Sequence, residues 1–114
     1  MVCGSLEIEI LNTFWNLTSD NEDIDISIQD VVDDLSKNGT ERAYTTIKTV
    51  MDRLVTKSIL VRYKVGKKFF YKATMDRREM ALDMLNEFTN NFFNGNMTEM
   101  VRFAEKETAE MLVK

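Results

Sequence analysis

The sequence contains no proline, no histidine, a single cysteine and only four glycines. Each shortage removes a class of structure or chemistry. With Cys3 alone and no imidazole, neither a disulfide framework nor a zinc site built from Cys and His can form. Histidine-based acid–base catalysis is excluded for the same reason. No nucleophile–base pair stands out, so an enzyme is not expected, and no cofactor or metal is assigned. A chain without proline and with little glycine has few obligatory breaks, which points to mostly regular structure and chiefly helix. No apolar run reaches the roughly 18 residues of a membrane span. The opening MVCGSLEIEI has neither a basic segment nor an apolar core. No secretory signal is therefore expected, and a reducing, cytoplasmic setting fits.

What is present is an uneven distribution of charge. The 114-residue chain carries a formal −4. Residues 42–72 nevertheless hold nine Lys and Arg (Arg42, Lys48, Arg53, Lys57, Arg62, Lys64, Lys67, Lys68 and Lys72) against one acid, Asp52, for a local +8. The other 83 residues sum to −12. An acidic body with one basic face is the electrostatic footprint of a nucleic-acid binder. A merely solvated basic face is the plainer reading, but a single acid in 31 residues argues against it.

The same stretch has two periodicities. Ile47, Val50, Met51, Leu54 and Val55 recur at helical spacing, leaving Thr45, Thr46, Thr49, Arg53 and Thr56 opposite, with Lys48 at the margin. Alternation follows, with Arg62 and Lys64 on one side and Val61, Tyr63 and Val65 on the other. Gly66-Lys67 reads as a hairpin tip and Phe69 to Ala73 as the return strand. A polar-faced helix followed by a basic hairpin is the winged-helix arrangement, with the helix shaped for a DNA major groove and the hairpin for flanking phosphates.

Upstream, SLEIEILNTFWNL reads as a broadly apolar helix (Leu6, Ile8, Ile10, Leu11, Phe14, Trp15) with Ser5 as N-cap and Glu7 in its first turn. Trp15 is expected in the core. The acidic loop Ser19–Asp25 fails the calcium-loop template, lacking the required Gly and the terminal Glu, and reads as solvated. Ser27 with Asp30 opens a second helix, whose buried stripe is Ile28, Val31, Val32 and Leu35 and whose end is Asn38-Gly39. The third helix is expected to begin at Thr40 or a close neighbour. The fold class is therefore mostly α (α+β): a winged helix-turn-helix domain over residues 1–75 and a two-helix dimerisation region over residues 76–114.

In that second region Met80, Met84, Phe88 and Phe92, flanked by Leu85, fall at helical spacing. After Asn94-Gly95-Asn96 a last helix carries Met97, Met100, Val101, Ala104, Met111 and Leu112. Two amphipathic helices beyond a complete small domain need something to cover. Folding back on their own domain is the plainer reading, but a Met- and Phe-rich face suits a second copy of the chain.

The segments EIEILNTFW, AYTTIKTVMDRLVTKSIL and NGNMTEMVRFAEKE resemble the penicillinase-repressor family, the BlaI/MecI type with copper-responsive CopY relatives. The resemblance covers nearly the whole chain. It implies a homodimeric winged-helix transcriptional repressor on a palindromic operator in double-stranded DNA, released when a membrane-bound protease sensor system is activated. It further implies that Thr45, Thr46, Lys48 and Thr49 read bases and backbone and that Arg53 contacts a phosphate. Arg42 and Tyr44, at the head of the same stretch, and the wing residues Lys64, Lys67 and Lys68 complete the candidate DNA-binding set. Three departures stand out. The Ser19–Asp25 loop is longer and more acidic than usual, and the terminal Cys pairs of the copper-responsive relatives are absent. Arg102-Phe103 stands at the family's usual Asn-Phe cleavage bond. A different class of function is a winged-helix module whose basic face docks an acidic protein partner. Steep salt dependence on duplex DNA and preference for a dyad-symmetric site separate the two.

Overall fold

The structure, a computed structural model, describes residues 4–113; Cys3, expected at a frayed terminus, lies outside them. Its elements are α1 (Ser5–Leu17), α2 (Ile28–Lys37), α3 (Tyr44–Thr56), β1 (Leu60–Val65), β2 (Lys68–Ala73), α4 (Arg77–Phe93) and α5 (Met97–Val113). They divide into two compact units, one ending at Arg77 and the other beginning at Arg78. Three helices followed by a two-stranded antiparallel hairpin make the first unit a winged helix. Among the described residues, no helix is long and apolar enough to cross a membrane.

The helix ends are set by local bonds. Gly4, not Ser5, is the N-cap of α1: its backbone N–H donates to Glu7 Oε1 at 3.0 Å, so the acid three residues on does the capping. In α2 the expected box forms in full. Ser27 Oγ accepts from the Asp30 N–H at 3.2 Å, and Asp30 Oδ2 accepts from the Ser27 N–H at 2.9 Å. Its far end closes at Gly39, which takes φ +88°, a left-handed value that glycine adopts without strain. The amide of Thr40 then bonds back to Leu35 O at 2.9 Å. That bond is why α3 does not begin at Thr40 as expected. Thr40 belongs to the lock on α2, and α3 starts only at Tyr44, after an extended Ala43.

The core of the first unit is drawn from every element in it. Ile10, Leu11 and Phe14 come from α1, Ile28, Val31 and Leu35 from α2, and Ile47, Val50, Met51 and Leu54 from α3. Ile26, Ile59, Leu60 and Tyr71 complete it. Leu6, Ile8, Trp15, Val32 and Val55 are only half-buried. Trp15 donates its indole N–H to Met75 O at 2.9 Å, which fixes the chain as it leaves β2. The hairpin register pairs Val65 with Lys68 across the two-residue turn Gly66-Lys67, so the return strand starts one residue earlier than Phe69. Gly66 has φ +63° and Lys67 does not share it, the pattern of a hairpin turn that favours glycine first. A single bridge, Tyr71 N–H to Ile26 O at 2.9 Å, ties the short extended piece before α2 to the wing.

Two polar residues of α1 are buried against expectation. Thr13 Oγ1 donates to Asp34 Oδ2 at 3.1 Å. Glu7 accepts from Lys57 Nζ at 2.9 Å, 50 residues along the chain. Burial alone pushes the Glu7 carboxyl up, but the Gly4 amide, the Lys57 ammonium and the Arg53 charge outweigh it and hold Glu7 below its ordinary 4.5. A carboxylate with a depressed folded pKa adds stability above its unfolded pKa and loses it as pH falls through the folded value. Glu7→Gln should therefore cost about 1–3 kcal/mol at neutral pH. The cost should shrink on acidification below the ordinary carboxylate range. Urea unfolding at neutral and strongly acidic pH measures both, and an equal cost at the two would show that Glu7 carries no pH-dependent stability.

In the second unit, α4 ends where Asn94 and Gly95 take φ +50° and +80°. Asn96 Oδ1 then accepts from the Glu99 N–H at 3.0 Å to start α5. Tilted rings meet here: the Phe88 and Phe93 centroids of α4 lie 5.8 Å apart, and Phe93 reaches across the turn to Phe103 at 5.3 Å. Of the residues expected at a dimer interface, Met80 and Met100 are already buried in the single chain. Met84 is half-buried, while Leu85, Phe88, Phe92, Met97, Val101, Ala104, Met111 and Leu112 are exposed, as are Leu82 and Phe103.

Candidate nucleic-acid interface

The apolar stripe of α3 turns inward and leaves Tyr44, Thr45, Thr46, Lys48, Thr49, Arg53 and Thr56 exposed. Helical periodicity alone produces this division, since burying Ile47, Val50, Met51 and Leu54 fixes the rotation of the helix. Thr49 Oγ1 donates to Thr45 O at 2.9 Å and Thr56 Oγ1 to Asp52 O at 3.1 Å. With its hydroxyl proton engaged, Thr49 offers a methyl group and a lone pair outward, a surface suited to a thymine methyl. The N-terminus of α3 has no side-chain cap, because Ala43 occupies the N-cap position. Its first amides therefore face outward uncapped, and helix N-termini favour phosphate.

The wing adds charge on both faces. On one, Arg62 pairs across the hairpin with Tyr71 and Lys64 with Phe69. The Arg62 guanidinium lies 4.6 Å from the Phe69 ring centroid, and Lys64 Nζ 5.4 Å from it. On the other, Lys72 Nζ lies 5.6 Å from the Tyr63 ring. Lys67 occupies the turn and Lys68 pairs with Val65 at its foot. All the cations of residues 62–68 are exposed. Between the wing and α3 lies a cleft of about 550 Å³ lined by Ile28, Tyr44, Lys48, Arg62, Lys68, Phe69 and Tyr71, among others.

The candidate DNA-binding residues thus fall on α3 (Tyr44, Thr45, Thr46, Lys48, Thr49, Arg53), the loop before it (Arg42) and the hairpin (Lys64, Lys67, Lys68). Arg42 donates to Glu41 O at 2.8 Å and stays exposed. Arg53 is exposed on α3, and its charge helps lower the pKa of Glu7 in α1. Two cations of the basic run have acidic partners. Lys57 is committed to Glu7, and Lys48 is held by Asp52 at 2.8 Å. Arg62 was absent from the candidate set, although its alternation with Lys64 was the signal that could have placed it there.

Behind the wing, the Tyr63 hydroxyl donates to Asp25 Oδ1 at the end of the acidic loop. Burial and this carboxylate push the Tyr63 phenol up to about 12, so it remains a proton donor at neutral pH. Within the loop, Asn21 Oδ1 accepts from the Asp23 N–H at 3.0 Å. Among the described residues no three His, Cys, Asp or Glu side chains converge as a metal site.

Residues 3–111 match the family model described as penicillinase repressor. A penicillinase repressor from Staphylococcus aureus is 28% identical over 102 residues, spanning 89% of this chain and 75% of that protein. Among solved structures, the ferric uptake regulator of Francisella tularensis with iron superimposes with a TM-score of 0.52 at 18% identity, covering 81% of this chain and 80% of that one. At that identity the likeness concerns the fold alone.

Proposed function

We propose that this chain works as a homodimer on a palindromic operator in double-stranded DNA; the premise is that it belongs to the penicillinase repressor family, which makes it a DNA-binding transcriptional repressor. The observation that carries the reading is the exposed face of α3, with Thr45, Thr46, Lys48 and Thr49 set beside a basic hairpin. Such a face supplies what major-groove readout needs, namely a cation for guanine O6/N7 and threonine methyls for thymine. We assign DNA reading to the first unit and dimerisation to the second. The support for a dimer is the apolar surface that α4 and α5 leave open, including Phe92 at 71% and Leu112 at 82% exposure. Exposed large apolar side chains in such number favour a partner, and helix-turn-helix proteins commonly bind two half-sites as a two-fold dimer. Release by proteolysis at Arg102-Phe103, driven by a membrane-bound protease sensor system, completes the proposal.

Selecting bound sites from random duplex DNA tests the reading. A dyad-symmetric consensus is expected, and the absence of any consensus would refute it. On the selected site, Lys48→Ala should cost roughly 1–3 kcal/mol and relax one position. Unchanged affinity in a folded variant would remove α3 from the groove.

The wing is expected to position the protein rather than specify sequence. Replacing Lys67 and Lys68 together with Ala should weaken all duplexes alike and flatten the log K–log salt slope by about 1 for each true phosphate contact. A titration series from low to moderate salt measures it, and an unchanged slope would take the wing out of the interface.

A further inference from the structure

Asp52 is the one acid among nine cations in residues 42–72, and it lies on the helix proposed to read DNA. Its carboxylate holds Lys48 Nζ at 2.8 Å, with the two side chains 40% and 50% exposed. Fold stability does not account for the pair. An exposed ion pair of this spacing contributes little, and a base placed N-terminal to its acid is the weaker orientation on a helix. A negative charge on the groove-facing helix also opposes attraction to phosphate. The pair is not isolated. Arg62 of β1 and the buried Tyr71 of β2 both interact electrostatically with Lys48, and the Asp52 charge helps hold the Tyr71 proton in place after burial has done most of that work. Asp52 makes the direct contact with the ammonium, and Arg62 and Tyr71 add only longer-range electrostatics.

We propose that Asp52 is a specificity-determining positioning residue, which keeps Lys48 from phosphates and gives it up only to a base pair that satisfies both groups. The chemistry names that pair. A donor beside an acceptor complements the major-groove edge of G·C, where guanine presents O6 and N7 and cytosine presents its N4 amine. A backbone phosphate offers acceptors only, so it can satisfy Lys48 but repels Asp52. The inference rests on the DNA reading proposed above.

The test uses the full chain, the duplex recovered by selection and a scrambled duplex of the same composition, each titrated across salt. Asp52→Asn keeps the shape and removes the charge. It should tighten binding to the scrambled duplex and steepen its log K–log salt slope by about 0.9, because Lys48 then releases a counterion of its own. Preference for the selected duplex should fall roughly tenfold. Asp52→Glu, which still reaches Lys48 at this spacing, should keep the preference. In a Lys48→Ala background Asp52→Asn should remove less preference than it does in the unmutated chain, whereas a merely structural role would cost the same in both. If the unmutated chain prefers the selected duplex and Asp52→Asn leaves preference and slope unchanged, the inference fails while the DNA reading stands. If the unmutated chain prefers no duplex, both fail.

Discussion

A chain ended at Arg102 should keep its fold but bind the selected operator about 10²–10⁴-fold more weakly than the full chain. The reason is linkage between two half-sites. In a dimer the second half-site is engaged as an intramolecular event at high effective concentration, and that gain disappears with the dimer. The cut removes Phe103, Ala104, Met111 and Leu112, all of them exposed in the single chain. It also removes the ring that Phe93 packs against at 5.3 Å. The core of the first unit ends well before this point, so each monomer should retain its basic face and bind DNA nonspecifically. The bond lies inside α5, six residues from its start, and a protease can reach it only after local opening. Sedimentation and DNA titration of the shortened chain measure the effect. Mass spectrometry of the protein from induced cells should find a fragment ending at Arg102. A shortened chain that still dimerises and binds like the full one would exclude release by cleavage here.

Phe14→Ala should cost about 3–5 kcal/mol, the range for a large aromatic truncated in a packed core. Phe14 is 1% exposed. Small domains have only about 5–15 kcal/mol of net stability, so the variant should unfold at low urea or already be unfolded. Trp15, its neighbour, supplies a fluorescence signal for the transition. Phe92→Ala is the contrast. At 71% exposure that ring has little to lose in the monomer, so stability should hold while self-association weakens. A Phe14→Ala variant losing less than about 1 kcal/mol would mean that its neighbours collapse into the space.

The elements that could be read from the residues were those that local chemistry determines. The Ser27–Asp30 cap, the Asn38-Gly39 stop and the Asn94-Gly95-Asn96 break all work within a few residues, and each appears where expected. The apolar stripe of α3 was legible for the same reason, because burial of one face dictates the rest. What escaped depends on distant residues or on unfavourable local choices. Glu7 looks like an ordinary first-turn acid until Lys57 arrives from 50 positions away. That contact also takes one cation out of the basic run, which a charge count by position cannot detect. Nothing marks the end of α3, because Ser58, not glycine, takes the left-handed conformation with φ +62°. Its start was misread because Thr40 is a good cap by residue type but is already bonded to the preceding helix. Within the candidate site, the threonine face and the wing lysines were visible in spacing, whereas the hold of Asp52 on Lys48 appears only once side chains are placed.

The wing is anchored at several points along its length. Thr74 bonds back to Ile59 O, Tyr71 N–H reaches Ile26 O, and the Tyr63 hydroxyl is held by Asp25. The hairpin is therefore preorganised and does not fold onto its target. Arms that order on contact give up part of their interaction free energy as lost conformational entropy and carry a large negative heat-capacity change. A wing already fixed beside α3 avoids that loss. On the DNA reading proposed above, the wing's contribution to affinity should follow from contact and charge alone, association should resemble the docking of a rigid body, and the heat-capacity change should reflect only the surface covered at the interface.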